Sequence, residues 1–332
     1  MDVEKYLQER ARMVEEEIDR WFPREIKPEV LAKASRHLIE AGGKRLRPCL
    51  VLTSCEAVGG RAKDAIETAA ALELLHNFTL IHDDIMDRDE FRRNVKTVHV
   101  LWGEPVAIIA GDALFAKVFE VLAANAKRLK LPAGRAIELI DTISRASFEI
   151  CQGQALDMLF EGRKDITEAE YLDMIGSKTG ALLEASTRVG ALLGGGKPKQ
   201  VEALAEYGRL VGMAFQIRDD LLGVVGELEK FGKPIGSDIR EGKLTLVVAR
   251  ALKAASKEDR KKLLHALGNR KASEVELKWA IEVLKRSGAV DYAAGKAREF
   301  VVQAKSKLGV LQDSEAKQFL LKLADFTVER EF

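Results

Sequence analysis

The stretch DAIETAAALELLHNFTLIHDD, from Asp64 to Asp84, decides the fold class of this 332-residue chain. It contains neither proline nor glycine, and it is rich in Ala, Leu and Glu, which are strong helix formers. Outward from it, apolar residues recur at helical spacing over roughly 29–41, 105–130, 134–160, 168–193, 199–225 and 243–254, and in several segments to the C-terminus. Period-2 alternation between hairpin turns is absent. The sequence therefore predicts an all-α fold, a single bundle of about a dozen helices in one domain over residues 1–332.

The composition excludes several classes of protein. Apolar residues make up 47% of the chain, and 53 basic residues nearly cancel 52 acidic ones. With 6% aromatic residues and no net basic face, we expect no nucleic-acid partner. The charged N-terminus and the lack of an apolar run near the roughly 20 residues of a membrane span predict neither a signal peptide nor a transmembrane segment. The three cysteines form no CxxC pair. These features predict a cytoplasmic protein.

Carboxylates are concentrated at the end of this apolar helix, in IHDDIMDRDEFRRN from Ile81 to Asn94. Residues four apart lie on one face, so Asp83 and Asp87 point the same way, with Asp84 about 100° round the helix. Such a cluster by itself is compatible with a solvated helix end. A second pair in FQIRDDLLG, Asp219 and Asp220, favours two walls of one anionic pocket. All-oxygen ligands of this kind suit Mg²⁺ bound together with substrate phosphates.

Cations are available for the far side of a phosphate ligand. They are found in AGGKRLRPC, directly after the first acidic stretch, and in the glycine-rich segment FGKPIGSDIREGK (231–243), which is predicted to be a loop. The residues are Lys44, Arg45, Arg47, Arg92, Arg93, Lys233 and Lys243. Arginine pairs with phosphate bidentately and lysine acts as a point charge, so the sets together predict a diphosphate site. The stretch GALLGGGKPK does not match a P-loop, because Ala191 stands in place of the first required glycine and Pro198 in place of the serine or threonine.

These motifs, in this order, resemble those of the trans-isoprenyl diphosphate synthases, the head-to-tail polyprenyl synthetase family. The resemblance runs from GGKRLRP near residue 43 through DDIMD, the Arg-Arg pair, SKT, FQIRDD and GKPIGSDIREGKLT, over about 200 residues. It implies the isoprenoid synthase fold, in which an all-α bundle surrounds a deep central cavity, and it implies a homodimer. It also implies the activity, condensation of isopentenyl diphosphate with dimethylallyl, geranyl or farnesyl diphosphate through ionisation, condensation and elimination.

The resemblance also implies a role for each matching position. Isopentenyl diphosphate would be held by Lys44, Arg47, His76 and Arg93. Two to three Mg²⁺ ions would be bound by Asp83, Asp87, Asp219 and Asp220. The allylic diphosphate would be contacted by Arg92, Lys178, Thr179, Gln216, Lys233 and Lys243. Asp83, Asp84, Asp87, Arg92, Lys178, Asp219 and Asp220 would carry the catalysis. Gln216 is expected one turn before Asp219 on the same face, and segment 231–243 is expected to close over the phosphates.

Two positions depart from the family pattern. Gly223 stands where many members have a third aspartate, which bears on the third metal ion. Asn94 follows the Arg-Arg pair in place of the common glycine, and we expect this change to be harmless.

The product length depends, within the resemblance, on the residues before the first aspartate. Phe78, five positions before Asp83, with the small Thr79 beside it, resembles the archaeal-type geranylgeranyl diphosphate synthases. We therefore expect mainly a twenty-carbon product, with the fifteen-carbon product as the alternative. Ordinary core packing of Phe78 is the competing interpretation.

Two other functions share an all-α fold and aspartate-rich motifs. A terpene cyclase would need a different second metal motif, with Asn, Ser and Glu, and it has no use for GGKRLRP. A catalytically silent partner subunit of a prenyl synthase would tend to lose aspartates from the first motif. Asp83, Asp84 and Asp87 are all present, which favours the active enzyme.

Overall fold

The computed structural model describes residues 2–163, 165–225 and 236–329. The chain forms two compact units. The first comprises residues 1–145, 185–205 and 309–320, and the second comprises residues 146–184, 206–308 and 321–332. The single domain expected over residues 1–332 stays a prediction.

Helices make up nearly all of the described secondary structure, which confirms the all-α prediction. In chain order they begin with α1 (Val3–Trp21), α2 (Glu29–Glu40), α3 (Leu46–Ala57) and α4 (Ala62–Asp87). They continue as α5 (Val98–Trp102), α6 (Glu104–Arg128), α7 (Ala133–Phe160), α8 (Glu168–Ile175), α9 (Ala181–Leu193) and α10 (Pro198–Val225). The remainder are α11 (Ser237–Glu241), α12 (Leu246–Ala254), α13 (Lys257–Ala266), α14 (Glu274–Arg286), α15 (Ala289–Lys307) and α16 (Glu315–Glu329).

The first unit is built around α4, the helix predicted from the opening stretch. It packs against α1, α2, α3, α5 and α6, and its buried side chains lie on every face. A helix that is apolar all round belongs in a core, which explains the long run without a polar stripe. Two of its buried polar side chains pair with Asn125 on α6, as buried polar groups usually do: Thr68 donates to Asn125 Oδ1 at 2.6 Å, and Asn125 donates to Glu67 at 2.6 Å.

The glycine-rich stretch at the end of α9 serves packing in this same unit. A Cβ at Gly190 would lie 3.0 Å from the Cβ of Ser54, and one at Gly194 would lie 3.0 Å from the Cα of Cys55. Both neighbours belong to α3, so these glycines let two helix backbones approach closely.

The second unit is organised around α12, which packs against α8, α13, α14 and α15. Thr167 and Glu170 form a capping box at the start of α8, which satisfies the otherwise unpaired N–H groups of its first turn. Along the described parts of the chain, no helix is both long enough and apolar enough to span a membrane.

Two sequence-based expectations were wrong in detail. A short hairpin, β1 (Phe91–Arg92) and β2 (Val95–Lys96), lies where no strand was expected, because four residues are too few to show alternation. The segment 231–243 is not wholly a loop, since it contains α11 between Gly236 and Gly242, which both have positive φ. Residues 226–235, and with them Lys233, lie outside the described residues.

Candidate active site

The first acidic cluster forms the last turn of α4, in the first unit. The helix ends at Asp87, and Arg88 follows in the left-handed conformation at φ 57°. A helix C-terminus carries partial negative charge, so aspartates are unfavourable there unless a cation compensates for them. Asp83 and Asp87 are half-buried, whereas Asp84 is fully buried. The fold therefore concentrates negative charge where the helix itself disfavours it.

Asp84 is a buried carboxylate whose pKa is raised. Its pKa is raised to about 6, mainly by burial; Arg92 lowers the pKa, and the charges of Asp89 and Asp87 also raise it. Arg92 donates from Nε to Asp84 Oδ1, and within the described structure Oδ2 of Asp84 is buried without a hydrogen-bond partner. A buried acceptor without a donor is a place where a cation or a bound ligand fits.

The hairpin brings the Arg-Arg pair to this cluster. Its two-residue turn is formed by Arg93 and Asn94, at φ 53° and 62°, which is the type I′ pattern of tight hairpins. Asparagine adopts this left-handed conformation more readily than most residues, so it can replace the glycine common in the family. Arg93 donates to the carbonyl of Leu38 at 2.6 Å, and Arg92 is held between Asp84 and Asp89.

The GGKRLRP segment supplies a second group of cations in the same unit. Arg47 Nη1 lies 3.0 Å from His76 Nε2. Burial, followed by the charge of Arg47, lowers the pKa of His76 well below its ordinary value, so the imidazole is neutral. Because an arginine N–H can only donate, Nε2 accepts and Nδ1 carries the hydrogen. That buried Nδ1 has no partner in the described structure, which leaves a donor for a ligand oxygen.

One cation of this segment, Arg45, pairs with groups of the protein itself. Arg45 is 4% exposed and donates to Glu73 at 2.9 Å and to the carbonyls of Ile39 and Gly42 at 2.6 and 3.0 Å. Its charge is used to hold the Gly-Gly turn onto α4. Lys44, directly before it, is exposed.

Phe78 is part of an aromatic cluster rather than a single plug. Its ring centroid lies 4.7 Å from that of His82 and 4.9 Å from that of Phe115 on α6, which in turn lies 5.2 Å from Phe119. Thr79 turns its hydroxyl to the carbonyl of His76 at 2.8 Å. Phe115 and Phe119 were not predicted from the sequence, although their spacing of four residues places them on one face of α6.

The second acidic cluster lies on α10, in the second unit. Asp220 Oδ2 accepts from the buried hydroxyl of Tyr171 at 2.6 Å, and Oδ1 accepts from Gln216 Nε2 at 2.8 Å. Gln216 therefore pairs with Asp220, the residue four positions on. The pKa of Asp220 is raised to about 7, mainly by burial, and the charges of Asp238 and Asp219 contribute to the rise.

Asp238 on α11 is an acidic residue that the sequence analysis did not single out. A Cβ at Gly223 would lie only 2.5 Å from Asp238 Oδ2. The absent side chain at position 223 therefore leaves room for a carboxylate from another helix of the same unit. Lys243, just after α11, pairs with Glu241 at 3.2 Å.

Lys178 and Thr179 lie in one turn of π-helix, Gly176–Gly180, between α8 and α9. Lys178 Nζ lies 2.5 Å from Asp157 Oδ2, and Thr179 donates to Gln216 Oε1 at 2.7 Å. Within this turn, the ammonium of Lys178 pairs with Asp157, and the hydroxyl of Thr179 bonds to Gln216, which in turn donates to Asp220. Asp157 was not predicted, because no motif in the sequence singles it out.

Both clusters fit Mg²⁺, judged by their donors. No group of three or more His, Cys, Asp or Glu among the described residues forms a metal cage by itself. Mg²⁺ is commonly held by one or two carboxylates together with water and substrate phosphates, so it needs no such cage. The carboxylates with raised pKa values and the buried Oδ2 of Asp84 are suitable oxygen donors.

Comparisons with known proteins agree with this chemistry. A model of the polyprenyl synthetase family matches residues 28–284. The short chain isoprenyl diphosphate synthase of Methanothermobacter thermautotrophicus is 50% identical, over 100% of this chain and 99% of that protein. The geranylgeranyl diphosphate synthase of Methanosarcina mazei is 44% identical, over 98% and 97%. The geranylfarnesyl diphosphate synthase of Aeropyrum pernix is also 44% identical, over 92% and 96%.

Solved structures resemble the whole chain. The geranylgeranyl pyrophosphate synthetase of Pyrococcus horikoshii Ot3 superposes with a TM-score of 0.93 at 44% identity, over 99% of this chain and 98% of that one. The geranylgeranyl pyrophosphate synthase of Corynebacterium glutamicum, complexed with isoprenyl diphosphate and magnesium, superposes with a TM-score of 0.88 at 27% identity, over 100% of both chains.

Proposed function

The chain belongs to the polyprenyl synthetase family, and from this premise we propose that it is a short-chain trans-prenyltransferase. It condenses isopentenyl diphosphate with dimethylallyl, geranyl and farnesyl diphosphates, and its main product is geranylgeranyl diphosphate. The observation that supports this most is the pair of acidic clusters in which burial raises the pKa of Asp84 to about 6 and that of Asp220 to about 7. An added cation stabilises the charged form of such buried carboxylates, and carboxylate oxygens suit Mg²⁺ held together with a diphosphate.

Mg²⁺ would be held by Asp83 and Asp87 at the end of α4 and by Asp219 and Asp220 on α10, with two to three ions in all. Asp238 is a further carboxylate for the second cluster, since it lies against Gly223. The chemistry that Mg²⁺ supplies when bound is neutralisation of the allylic diphosphate as it becomes a leaving group.

The residues proposed to bind the allylic diphosphate come from the SKT motif, the Arg-Arg pair and the segment 231–243. Lys178 and Thr179 supply an ammonium and a hydroxyl, each already held in place, by Asp157 and Gln216. Arg92 and Lys243 add positive charge, and Lys233 is proposed with them from the family pattern. When the allylic C–O bond breaks, its electron pair leaves with the diphosphate, and these fixed donors stabilise the developing negative charge.

Isopentenyl diphosphate would be bound by Lys44, Arg47, His76 and Arg93. The neutral ring of His76 donates to a phosphate oxygen through Nδ1, while Arg47 fixes the tautomer from the other side. The double bond of this substrate attacks the allylic cation, and the proton is then lost to the released diphosphate. Water must be kept from the cation, which we assign to closure of segment 231–243.

The product length is proposed from the aromatic cluster of Phe78, Phe115 and Phe119. Relatives named for twenty-carbon and twenty-five-carbon products are equally similar to this chain, at 44% identity. Overall similarity therefore does not decide the length. Large rings on α4 and α6 near the first aspartates favour the shorter of these two products, and farnesyl diphosphate is the shorter alternative.

We also propose that the protein is a cytoplasmic homodimer. Several large apolar side chains of the first unit are exposed on α6 and α7, including Ile109 at 57% and Ile137 at 67%. Exposed apolar patches commonly mark protein–protein interfaces. Light scattering on a sizing column should give the mass of two chains, and Ile109→Glu should shift it to one. A single-chain mass for the wild type would contradict the dimer.

Product analysis tests the function directly. Purified protein is incubated with Mg²⁺, labelled isopentenyl diphosphate and each allylic primer in turn, with Asp83→Ala as the control. We expect a twenty-carbon product that requires Mg²⁺ and falls about 10²- to 10³-fold in the variant. A linear product of another length would keep the chemistry and overturn the assigned length. No product with any primer would favour the silent-subunit alternative.

A further inference from the structure

The π-helical turn Gly176–Gly180 is the least regular element of the second unit, and it carries two of the proposed diphosphate-binding residues. An i→i+5 turn is rare, and such turns occur preferentially at functional sites. It is also intrinsically poorer in packing and hydrogen bonding than an α-turn, so the surrounding residues must hold it in place.

Helix α7 holds the turn through a stripe of residues spaced four apart, Glu149, Gly153 and Asp157. Gly153 lies directly against the turn: a Cβ there would collide with the backbone nitrogen of Lys178 and would lie 2.6 Å from its Cα. One helical turn further on, Asp157 pairs with Lys178 Nζ. The backbone and the head of Lys178 are therefore both fixed from α7.

Helix α10 holds the same turn through Arg209, Gly212 and Gln216. A Cβ at Gly212 would lie 2.8 Å from the Cα of Gly180, so this helix also approaches the turn at a glycine. Gln216, four residues on, accepts the hydroxyl of Thr179. The arrangement on α10 parallels that on α7, with a glycine in the middle and a polar contact one turn later.

Arg209 connects these two helices to α9 across the glycines of the turn. Its Nη2 donates to Glu149 at 2.8 Å and its Nη1 to Glu184 at 3.0 Å. The same side chain lies 3.2 Å from a Cβ position at Gly176 and 3.4 Å from one at Gly180. The side chain of Arg209 thus lies against both ends of the turn, with its guanidinium near Gly176 and its Cγ near Gly180, and no proposed ligand-binding role accounts for it.

We propose that Arg209, ion-paired with Glu149 and Glu184, is a positioning residue that sets the π-turn so that Lys178 and Thr179 meet the allylic diphosphate. This inference rests on the proposed function. Partly exposed ion pairs contribute little to global stability, so the effect of this one falls on local position. The planar fork of arginine can serve two carboxylates at once, whereas a lysine cannot hold both in the same geometry.

Kinetics on Arg209→Gln and Arg209→Lys test the proposal. A misplacement of about 1 Å can cost on the order of 10²-fold in rate, so we expect kcat/KM for the allylic diphosphate to fall about 10- to 100-fold. The KM for isopentenyl diphosphate should stay unchanged. The matched control is Glu206→Gln, which removes the ion pair with Lys307 on the same helix and should alter neither value. Equal losses for both substrates would overturn the proposal.

A double-mutant cycle with Lys178→Ala separates positioning from general destabilisation. If Arg209 acts through the turn, Arg209→Gln should add little once Lys178 is gone, because coupled residues are not additive. Fully additive losses would show that Arg209 acts by another route. Circular dichroism establishes that each variant is folded, and Arg209→Lys retains the charge should Arg209→Gln unfold.

Hydrogen–deuterium exchange of the substrate-free protein provides a readout that is independent of activity. Amides of residues 176–182 should exchange faster in Arg209→Gln and Glu149→Gln, and at the wild-type rate in Glu206→Gln. Unchanged exchange rates in the first two variants would overturn the proposal that Arg209 holds the π-turn. If the wild-type enzyme makes no prenyl product, the proposed function fails, while this comparison still decides whether Arg209 holds the turn.

Discussion

At the scale of single residues, two buried aspartates show how the neighbouring donors set a pKa. Asp84 has the guanidinium of Arg92 beside it, and its pKa reaches about 6. Asp220 accepts hydrogen bonds from the neutral donors Tyr171 and Gln216, and its pKa reaches about 7. Desolvation dominates in both, and a full positive charge offsets it better than neutral hydrogen bonds do. An added cation would therefore stabilise the charged form of both carboxylates.

Tyr171→Phe should weaken metal binding at the second cluster. The hydroxyl of Tyr171 orients Asp220 and stabilises its charged form, and loss of such outer contacts costs about 10- to 100-fold in metal affinity. The Mg²⁺ concentration for half-maximal activity should rise by about that factor. Tyr292→Phe is the matched control, because Tyr292 makes the same kind of bond, to Glu168 at 2.6 Å. An equal Mg²⁺ requirement in both variants would contradict the role of Tyr171.

Phe78→Ala should lengthen the products. Removal of this ring opens space beside Phe115, so chains beyond twenty carbons should appear, and Phe78→Ala/Phe115→Ala should extend them further. Chromatography of the dephosphorylated products measures this. Trp279→Ala, which removes an exposed ring on α14, should leave the distribution unchanged. Unaltered products in Phe78→Ala would return Phe78 to ordinary core packing.

At the scale of elements, the irregular pieces carry most of the candidate site. The hairpin holds Arg92 and Arg93 through a turn whose two residues both have positive φ. The π-turn holds Lys178 and Thr179. Both are short, and both lie between α-helices; the π-turn interrupts the segment 168–193, which the sequence predicted to be one continuous helix. Regular helices thus form the scaffold, while the departures from it aim the cations.

Gly153→Ala should damage the allylic site more than an ordinary helical substitution does. A Cβ at this position collides with the backbone of Lys178, so the π-turn must shift. We expect a large loss of kcat/KM for the allylic diphosphate and a lower midpoint of urea unfolding. Gly295→Ala on α15 is the control: nothing lies within 4 Å of its Cβ position, and alanine there should stabilise the protein by about 0.5–1 kcal/mol. Two variants with the same behaviour would exclude the close approach as the cause.

At the scale of the whole molecule, a net charge of +1 leaves local clusters to set the pH dependence of stability. The folded pKa values of Asp84 and Asp220, about 6 and about 7, lie above the ordinary 3.8. The folded state therefore retains protons that the unfolded chain releases. This contribution lowers the free energy of unfolding as pH rises from 3.8 to about 7, and it is constant above that range.

Ligand binding should reverse this dependence. Mg²⁺ with inorganic diphosphate competes with those protons, so the rise in Tm on adding both should be larger at pH 8 than at pH 6. Differential scanning calorimetry measures it, and Asp220→Asn should reduce the difference between the two pH values. An equal rise at both pH values in the wild type would contradict a role for the two aspartates in binding the ligand.

The sequence by itself determined the helical class, the approximate bounds of several long helices, the two acidic clusters and the family. These features depend on short-range physics: helical periodicity, proline and glycine at helix ends, and residue types within a few positions of one another. Asp83 and Asp87 on one face, for example, follow from the 3.6-residue repeat alone. The roles of the site residues remain predictions that the experiments above test.

Only the tertiary structure decided which partner each polar side chain takes. Arg45 is used to hold the fold, Gln216 turns to Asp220, and Tyr171 caps the same carboxylate from another helix. The π-turn and the ion pairs of Arg209 with Glu149 and Glu184 were likewise not predicted from the sequence. The physical reason is that partners far apart in the chain meet only through packing, and desolvation and pairing energies depend on that packing rather than on local spacing.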